Sequence, residues 1–253
     1  ITATGSLVYT NVTEHVKIGD APADFQRLAP SFTVSLQPWQ EQLLFLRLMY
    51  KSTFRMPTFN DLYYYRLGNR SLRPEKANEY NMGITWSRSF SSFLNYLSVT
   101  VDGYYNDVTD KIVAFPTTYA WKMANYGKVH VTGMDATLAA AASLGKNTVL
   151  VVSGGYTWQK AIDLTDATSK SYKDQLPYTP KHSGNVSAVL EMPWVNVGYS
   201  IVGVSERYSM SQNIPENRID GYMEHTVSLS RNFSFRHCKL RLQAEIINLT
   251  DTQ

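Results

Sequence analysis

The sequence is poorest in the groups that most soluble proteins rely on. It contains a single cysteine, Cys238, which excludes an internal disulfide and any site built from several thiolates. No stretch approaches the ~18 consecutive apolar residues that a spanning helix needs, so a helical membrane protein is excluded and a barrel is not. Charged residues make up 18% of the chain, below the roughly 25% of soluble domains. A net charge of +3, with no Lys/Arg block, gives nucleic acid no electrostatic footprint. The five histidines (His15, His130, His182, His225, His237) lie far apart and without metal-ligand spacing. Neither a G-x-S-x-G motif nor a phosphate-binding glycine loop occurs. Asp102, Asp107 and Asp110 read as a solvated wall and not as an acid–base pair. The expectation is therefore no enzyme, no metal and no cofactor. The chain opens at Ile1 without an initiator Met, charged n-region or apolar h-region, and is expected to be a piece of a longer protein.

What the chain has instead is aromatic residues and alternation. Aromatics reach 13%, with 17 Tyr. Tyr80, Met82, Ile84 and Trp86 alternate with Glu79, Asn81, Gly83 and Thr85. Leu97, Val99, Val101 and Tyr105 alternate with Ser98, Thr100, Asp102, Tyr104 and Asn106. Val195, Val197, Tyr199 and Ile201 do the same, as do Leu240, Leu242, Ala244 and Ile246. In a strand, successive side chains point to opposite faces, so each segment has one apolar and one polar side. Such segments fall near residues 1–10, 29–38, 42–52, 76–88, 95–109, 125–142, 148–161, 178–190, 195–207, 219–231 and 238–248. Many exceed the five or six residues of soluble strands and match the ~9–11 of tilted membrane strands.

Short and long connections alternate. The short ones run from Pro38 to Glu41, Ser89 to Phe93, Ser143 to Asn147, Glu191 to Trp194 and Asn232 to His237. The long ones run from Asn11 to Arg27, Thr53 to Glu75, Asp110 to Ala124, Ile162 to Leu176 and Tyr208 to Asn217. Outer-membrane barrels pair tight periplasmic turns with long external loops. Trp39, Phe90, Phe93, Trp194, Phe233 and Phe235 sit at the short turns, as an aromatic girdle would. The competing readings are a soluble all-β protein, whose strands also alternate, and a passive porin or adhesin-like barrel.

Several patches resemble TonB-dependent outer-membrane receptors. Phe54-Arg55-Met56-Pro57, followed by Gly68-Asn69-Arg70-Ser71-Leu72-Arg73-Pro74-Glu75, resembles the family's "FRAP … NPNL-x-PE" region. Asn125-Tyr126-Gly127 with Gly133-Met134-Asp135 resembles "N-x-G … GxE". Leu176-Pro177-Tyr178-Thr179-Pro180-Lys181-His182 resembles "LPYxPxH", and Asn248-Leu249-Thr250-Asp251 resembles "NLxD". The resemblance spans residues 54 to 253 and implies an all-β fold: about eleven antiparallel strands forming the C-terminal half of a 22-stranded transmembrane barrel, roughly strands 11 to 21. Residues 1–253 would then be a partial barrel domain, with the plug, the early strands and the final strand absent. The implied function is active transport across the bacterial outer membrane. The implied partners are a scarce nutrient chelate (siderophore, cobalamin or haem), outer-membrane lipid, and, in the full-length protein, the plug and TonB.

Candidate ligand contacts lie in the long loops: Tyr63, Tyr64, Tyr65, Arg66, Asn69 and Arg70 in one, Tyr119, Trp121 and Lys122 in the next. Aromatic rings offer stacking area with few rotors, and Arg or Lys can hold anions. Phe54, Arg55, Pro57, Pro74 and Glu75 are expected to serve structure. Haem receptors of the family commonly place a His between the two boxes, and Thr58 to Gly68 contains none. Glu79, Asn81, Asp102 and Asn106 are expected to face the lumen.

Overall fold

The computed structural model describes residues 1–13, 15, 24–39, 43–116, 121–236 and 238–250. Its strands are β1 (Thr2–Val12), β2 (Phe25–Leu36), β3 (Leu43–Arg55), β4 (Glu75–Ser89), β5 (Leu94–Pro116), β6 (Trp121–Gly145), β7 (Thr148–Asp163), β8 (His182–Glu191), β9 (Asn196–Val204), β10 (Arg207–Tyr208), β11 (Arg218–Ile219), β12 (Tyr222–Ser234) and β13 (Lys239–Ile246). One short helix, α1 (Phe59–Tyr63), precedes β4. Eleven strands form one sheet in chain order, and β10 pairs with β11 in a small ribbon. Each neighbouring pair in the large sheet is antiparallel. This is the all-β meander expected from the period-two pattern.

Register turns the alternation of single strands into two continuous faces. One row reads Val34, Leu48, Met82, Gly103, Met134, Trp158 across β2 to β7. A parallel row carries Val186, Ile201 and His225 across β8, β9 and β12. On the other face Arg47, Gly83, Asp102, Asp135, Thr157 and Ser183 follow one another across β3 to β8. The polar face is cross-linked: Arg47 Nη2 donates to Asp102 Oδ1 at 2.9 Å, Thr157 Oγ1 to Asp135 Oδ1 at 2.6 Å, and the Thr85 and Thr100 hydroxyls meet at 3.0 Å.

Among the described residues, nothing packs over the middle of the apolar face. Met82 is 67% exposed, Leu48 51%, Ile84 43% and Leu242 55%. A soluble sandwich buries such mid-strand side chains against a second sheet. Here they form a wall suited to hydrocarbon. At the short-turn end Trp39, Phe93, Trp194 and Phe235 are also exposed, as ring girdles at a membrane boundary are.

Buried apolar side chains gather instead at the long-loop end. Val108, Val129, Ala161 and Leu176 form one cluster, and Leu62, Leu72 and Ile112 a second. Both are made by loops folding back over the extended ends of β5, β6 and β7.

Three expectations need correction. The span from Asp110 to Ala124 is not a long loop: β5 runs to Pro116 and β6 starts at Trp121, paired throughout. The strand expected from residue 178 begins at His182, because Pro180 has no N–H for the ladder. The span from Tyr208 to Asn217 includes a strand residue, Tyr208 of β10, and a 3-10 turn at Pro215–Asn217.

Candidate functional site

The chain leaves the sheet after Arg55, and Thr58 starts α1 with a capping box. Asp61 N donates to Thr58 Oγ1 at 3.2 Å, and Thr58 N to Asp61 Oδ2 at 2.8 Å. Leu62, on the inner side of α1, packs with Leu72 and Ile112, and Tyr63 and Met123 close the cluster. Gly68 is required by crowding, since a Cβ there would lie 2.8 Å from the Leu62 carbonyl.

A polar brace returns the loop to the barrel wall. Arg55 donates to Glu75 Oε2 at 3.3 Å and to the Ile112 carbonyl at 3.1 Å, with Asp61 Oδ2 3.5 Å away. Glu75 Oε2 also accepts from Ile112 N at 3.0 Å. Arg73 pairs with Asp110, and that bond holds the guanidinium above its ordinary pKa. Asn125 donates to the Arg73 and Asp110 carbonyls at 2.9 and 2.7 Å and accepts from Arg73 N at 2.9 Å. Asn69 donates to the Met123 carbonyl at 3.1 Å, and Met123 N donates to Leu67 O at 2.9 Å. The motif residues Arg55 and Glu75 therefore act as a clamp. Phe54 rests on Phe25 at 4.9 Å between ring centroids, and Pro57 and Pro74 flank the points where the loop leaves and rejoins the sheet.

The clamp holds up an exposed tip. Phe59, Tyr64 and Tyr65 are 76%, 59% and 79% exposed. The Arg66 guanidinium lies 5.2 Å from the Tyr65 ring and that of Arg70 5.1 Å from the Tyr63 ring. Because Leu67 bonds to Met123, the tip stands beside the outer end of β6, where Trp121 and Lys122 are both exposed. Two candidate groups more than fifty residues apart are thus brought together, with Trp121 and Lys122 on a strand and not in a loop. Asn69 is engaged by Met123 and Ser71. Tyr119 lies outside the described residues.

A second feature escaped the sequence reading. Gln175, 3% exposed, accepts from Ala161 N at 3.1 Å and donates to the Gln159 and Thr179 carbonyls at 3.3 and 3.2 Å. Asn213 accepts from Gln175 N at 2.8 Å and donates to its carbonyl at 3.0 Å, joining the 164–181 and 205–221 loops. Between them and β6 opens a cavity of about 710 Å³ whose lining includes Asn125, Asp163, Asp166, Ser171, Gln212 and Asn217. Asp166 accepts from the Thr168 hydroxyl and backbone N–H at 2.7 and 2.8 Å, which holds its carboxyl below the ordinary range. No local pattern marks the Gln175–Asn213 pair, whose members are 38 residues apart.

Residues 2–249 match a family model described as TonB dependent receptor-like, beta-barrel. The Vitamin B12 transporter BtuB of Photobacterium profundum is 25% identical over 206 residues, 78% of this chain and 30% of that protein. BtuB of Vibrio vulnificus is 32% identical over 84 residues, 32% of this chain and 13% of its own length. Among solved structures, the copper transporter OprC superposes with a TM-score of 0.68 at 15% identity, over 90% of this chain and 34% of its own. The ferric citrate transporter FecA gives 0.68 at 16% identity, over 90% and 34%. At these identities the structures establish the fold. The chain spans about a third of the length of these two solved structures, and its matches cover 30% and 13% of the two BtuB proteins.

Proposed function

The chain belongs to the TonB-dependent receptor-like β-barrels, a family of bacterial outer-membrane transporters and not of enzymes, and from that premise we propose that it forms part of a receptor taking up a scarce, bulky nutrient chelate. The observation that carries this reading is the braced outer tip, where Phe59, Tyr64, Tyr65, Arg66 and Arg70 are presented beside Trp121 and Lys122. Exposed rings next to guanidinium groups suit a large planar or multiply anionic ligand. Preorganisation by the Arg55–Glu75 clamp lowers the ordering cost of capture.

The first ligand to test is a corrinoid, because the two relatives named above are vitamin B12 transporters. A ferric siderophore is the second and haem the third. In this reading the eleven strands make the later half of a barrel. The rest of the receptor supplies the plug, the TonB box, the early strands and the closing strand. The polar face, with Asp102, Asp135 and Arg47, lines the lumen and touches the plug, which moves when TonB pulls on it.

The test is uptake by cells that lack their own corrinoid receptor and express the full-length protein. Radiolabelled cyanocobalamin should accumulate, and collapsing the proton-motive force should stop accumulation. In planar bilayers the purified receptor should stay closed. Constant open conductance, with uptake indifferent to the proton-motive force, would show a passive pore instead. Accumulation of ferric siderophore without cobalamin would move the assignment to that class.

A further inference from the structure

On the lipid-facing side, Tyr156, Gly184, Gly203 and Met223 stand in one register row across β7, β8, β9 and β12. Two adjacent glycines leave the backbone bare between a tyrosine and a methionine. The result is a groove of about 850 Å³, whose wall includes Tyr156, His182, Val186, Ile201, Met223 and His225. The sheet continues on both sides, through β6 and β13, so the groove belongs to the wall and not to an edge.

Two of its lining residues are unusual for a face meant for hydrocarbon. His182 Nδ1 lies 2.7 Å from the Tyr156 hydroxyl, and His225 Nδ1 lies 2.8 Å from the Tyr199 hydroxyl. A phenol that donates to Nδ1 leaves the imidazole hydrogen on Nε2, where it can be donated outward. Polar donors facing a bilayer are costly unless they meet an acceptor. His182 opens β8 at the long-loop end, where the outer leaflet's headgroups lie. Lys160 stands on the same face, two residues outward from Trp158, which is the register partner of His182. Among the described residues no carboxylate lines the groove. The deeper row is Val186, Ile201 and His225, and Met223 stands in the row above it beside Gly203.

We propose that this groove is a binding site for one phosphorylated lipid of the outer leaflet. An acyl chain lies over Gly184 and Gly203, and the phosphate is held by His182 Nε2 and Lys160. Charge and polarity both select this occupant: His182 and Lys160 are at headgroup height, and Val186 and Ile201 lie at chain height below Gly184 and Gly203. The site is independent of the nutrient ligand, because it lies on the opposite face of the sheet from the lumen.

The test counts lipid on the full-length receptor. The protein is purified in mild detergent, offered bisphosphorylated lipid A, washed, and examined by native mass spectrometry. Wild type should retain about one lipid per barrel, with retention falling about fivefold (~1 kcal/mol) in His182→Phe and in Gly203→Leu. A Cβ at Gly203 meets only Met223 side-chain atoms, at 3.7 Å or beyond, so filling the groove creates no backbone clash. Heat-modifiable migration on gels reports that each variant is folded. Undiminished retention in His182→Phe would overturn the proposal. So would equal retention of dephosphorylated lipid A by the wild type.

Discussion

At the scale of single residues, the outer tip separates groups that hold structure from groups that are available. Tyr65 touches little besides Arg66, so Tyr65→Ala should leave the barrel's thermal unfolding unchanged and weaken ligand binding about fivefold, ~1 kcal/mol, by isothermal titration. Leu62 is 4% exposed beneath α1. Its replacement by Ala should cost ~2–3 kcal/mol locally and open the 56–74 segment to protease, with the sheet intact. Asp166 carries a pH signature: its carboxyl is held below the ordinary range by Thr168. The contribution of that turn is therefore present above the usual Asp pKa and lost only as pH falls through the lower, folded value. The protection of the Thr168 amide, taken relative to its intrinsic exchange rate at each pH, should hold through the ordinary carboxylate range and be lost below it. Of these residues, the Phe54-Arg55 and Pro74-Glu75 pairs were legible because they form a family pattern. Asn69, a candidate ligand contact from the sequence, is bonded to Met123 and Ser71, and Gln175 and Asn213 carried no local signal at all.

At the scale of elements, all eleven strands of the large sheet were legible because one face is apolar and the other polar. Legibility failed where a third partner intrudes. Ile112 and Met123 lie on the outer extensions of β5 and β6, which the α1 loop covers on the polar side. There the polar side takes the apolar Ile112 and Met123 while the opposite face carries Lys111 and Lys122, so the pattern breaks and the hairpin reads as a loop. Strand pairing predicts an asymmetry that can be tested on neighbouring residues of β4. Ile84→Arg puts a charge on the lipid face and should destabilise the folded barrel by ~2–4 kcal/mol in urea titration from vesicles. Thr85→Arg, one residue along on the polar face, should cost under ~1 kcal/mol, since that face already carries Arg47 and Asp102. On β4 Gly83 is the exception, because the Arg47–Asp102 pair lies directly over it and leaves no room for a Cβ.

At the scale of the whole molecule, among the described residues β1 pairs only with β2 and β13 only with β12. Open edges of this length recruit other strands, so residues 1–253 alone should oligomerise in detergent-free buffer by light scattering. The central claim is that this sheet is a two-faced wall between lipid and a polar lumen. It is tested most directly on β4 of the full-length receptor in vesicles, with Cys238 replaced by Ser and a fluorophore placed singly at each position from 79 to 86 except the crowded Gly83. Brominated lipid should quench the probe at 80, 82, 84 and 86 and spare 79, 81 and 85. Uniform quenching, or none at any of these positions, would contradict the account.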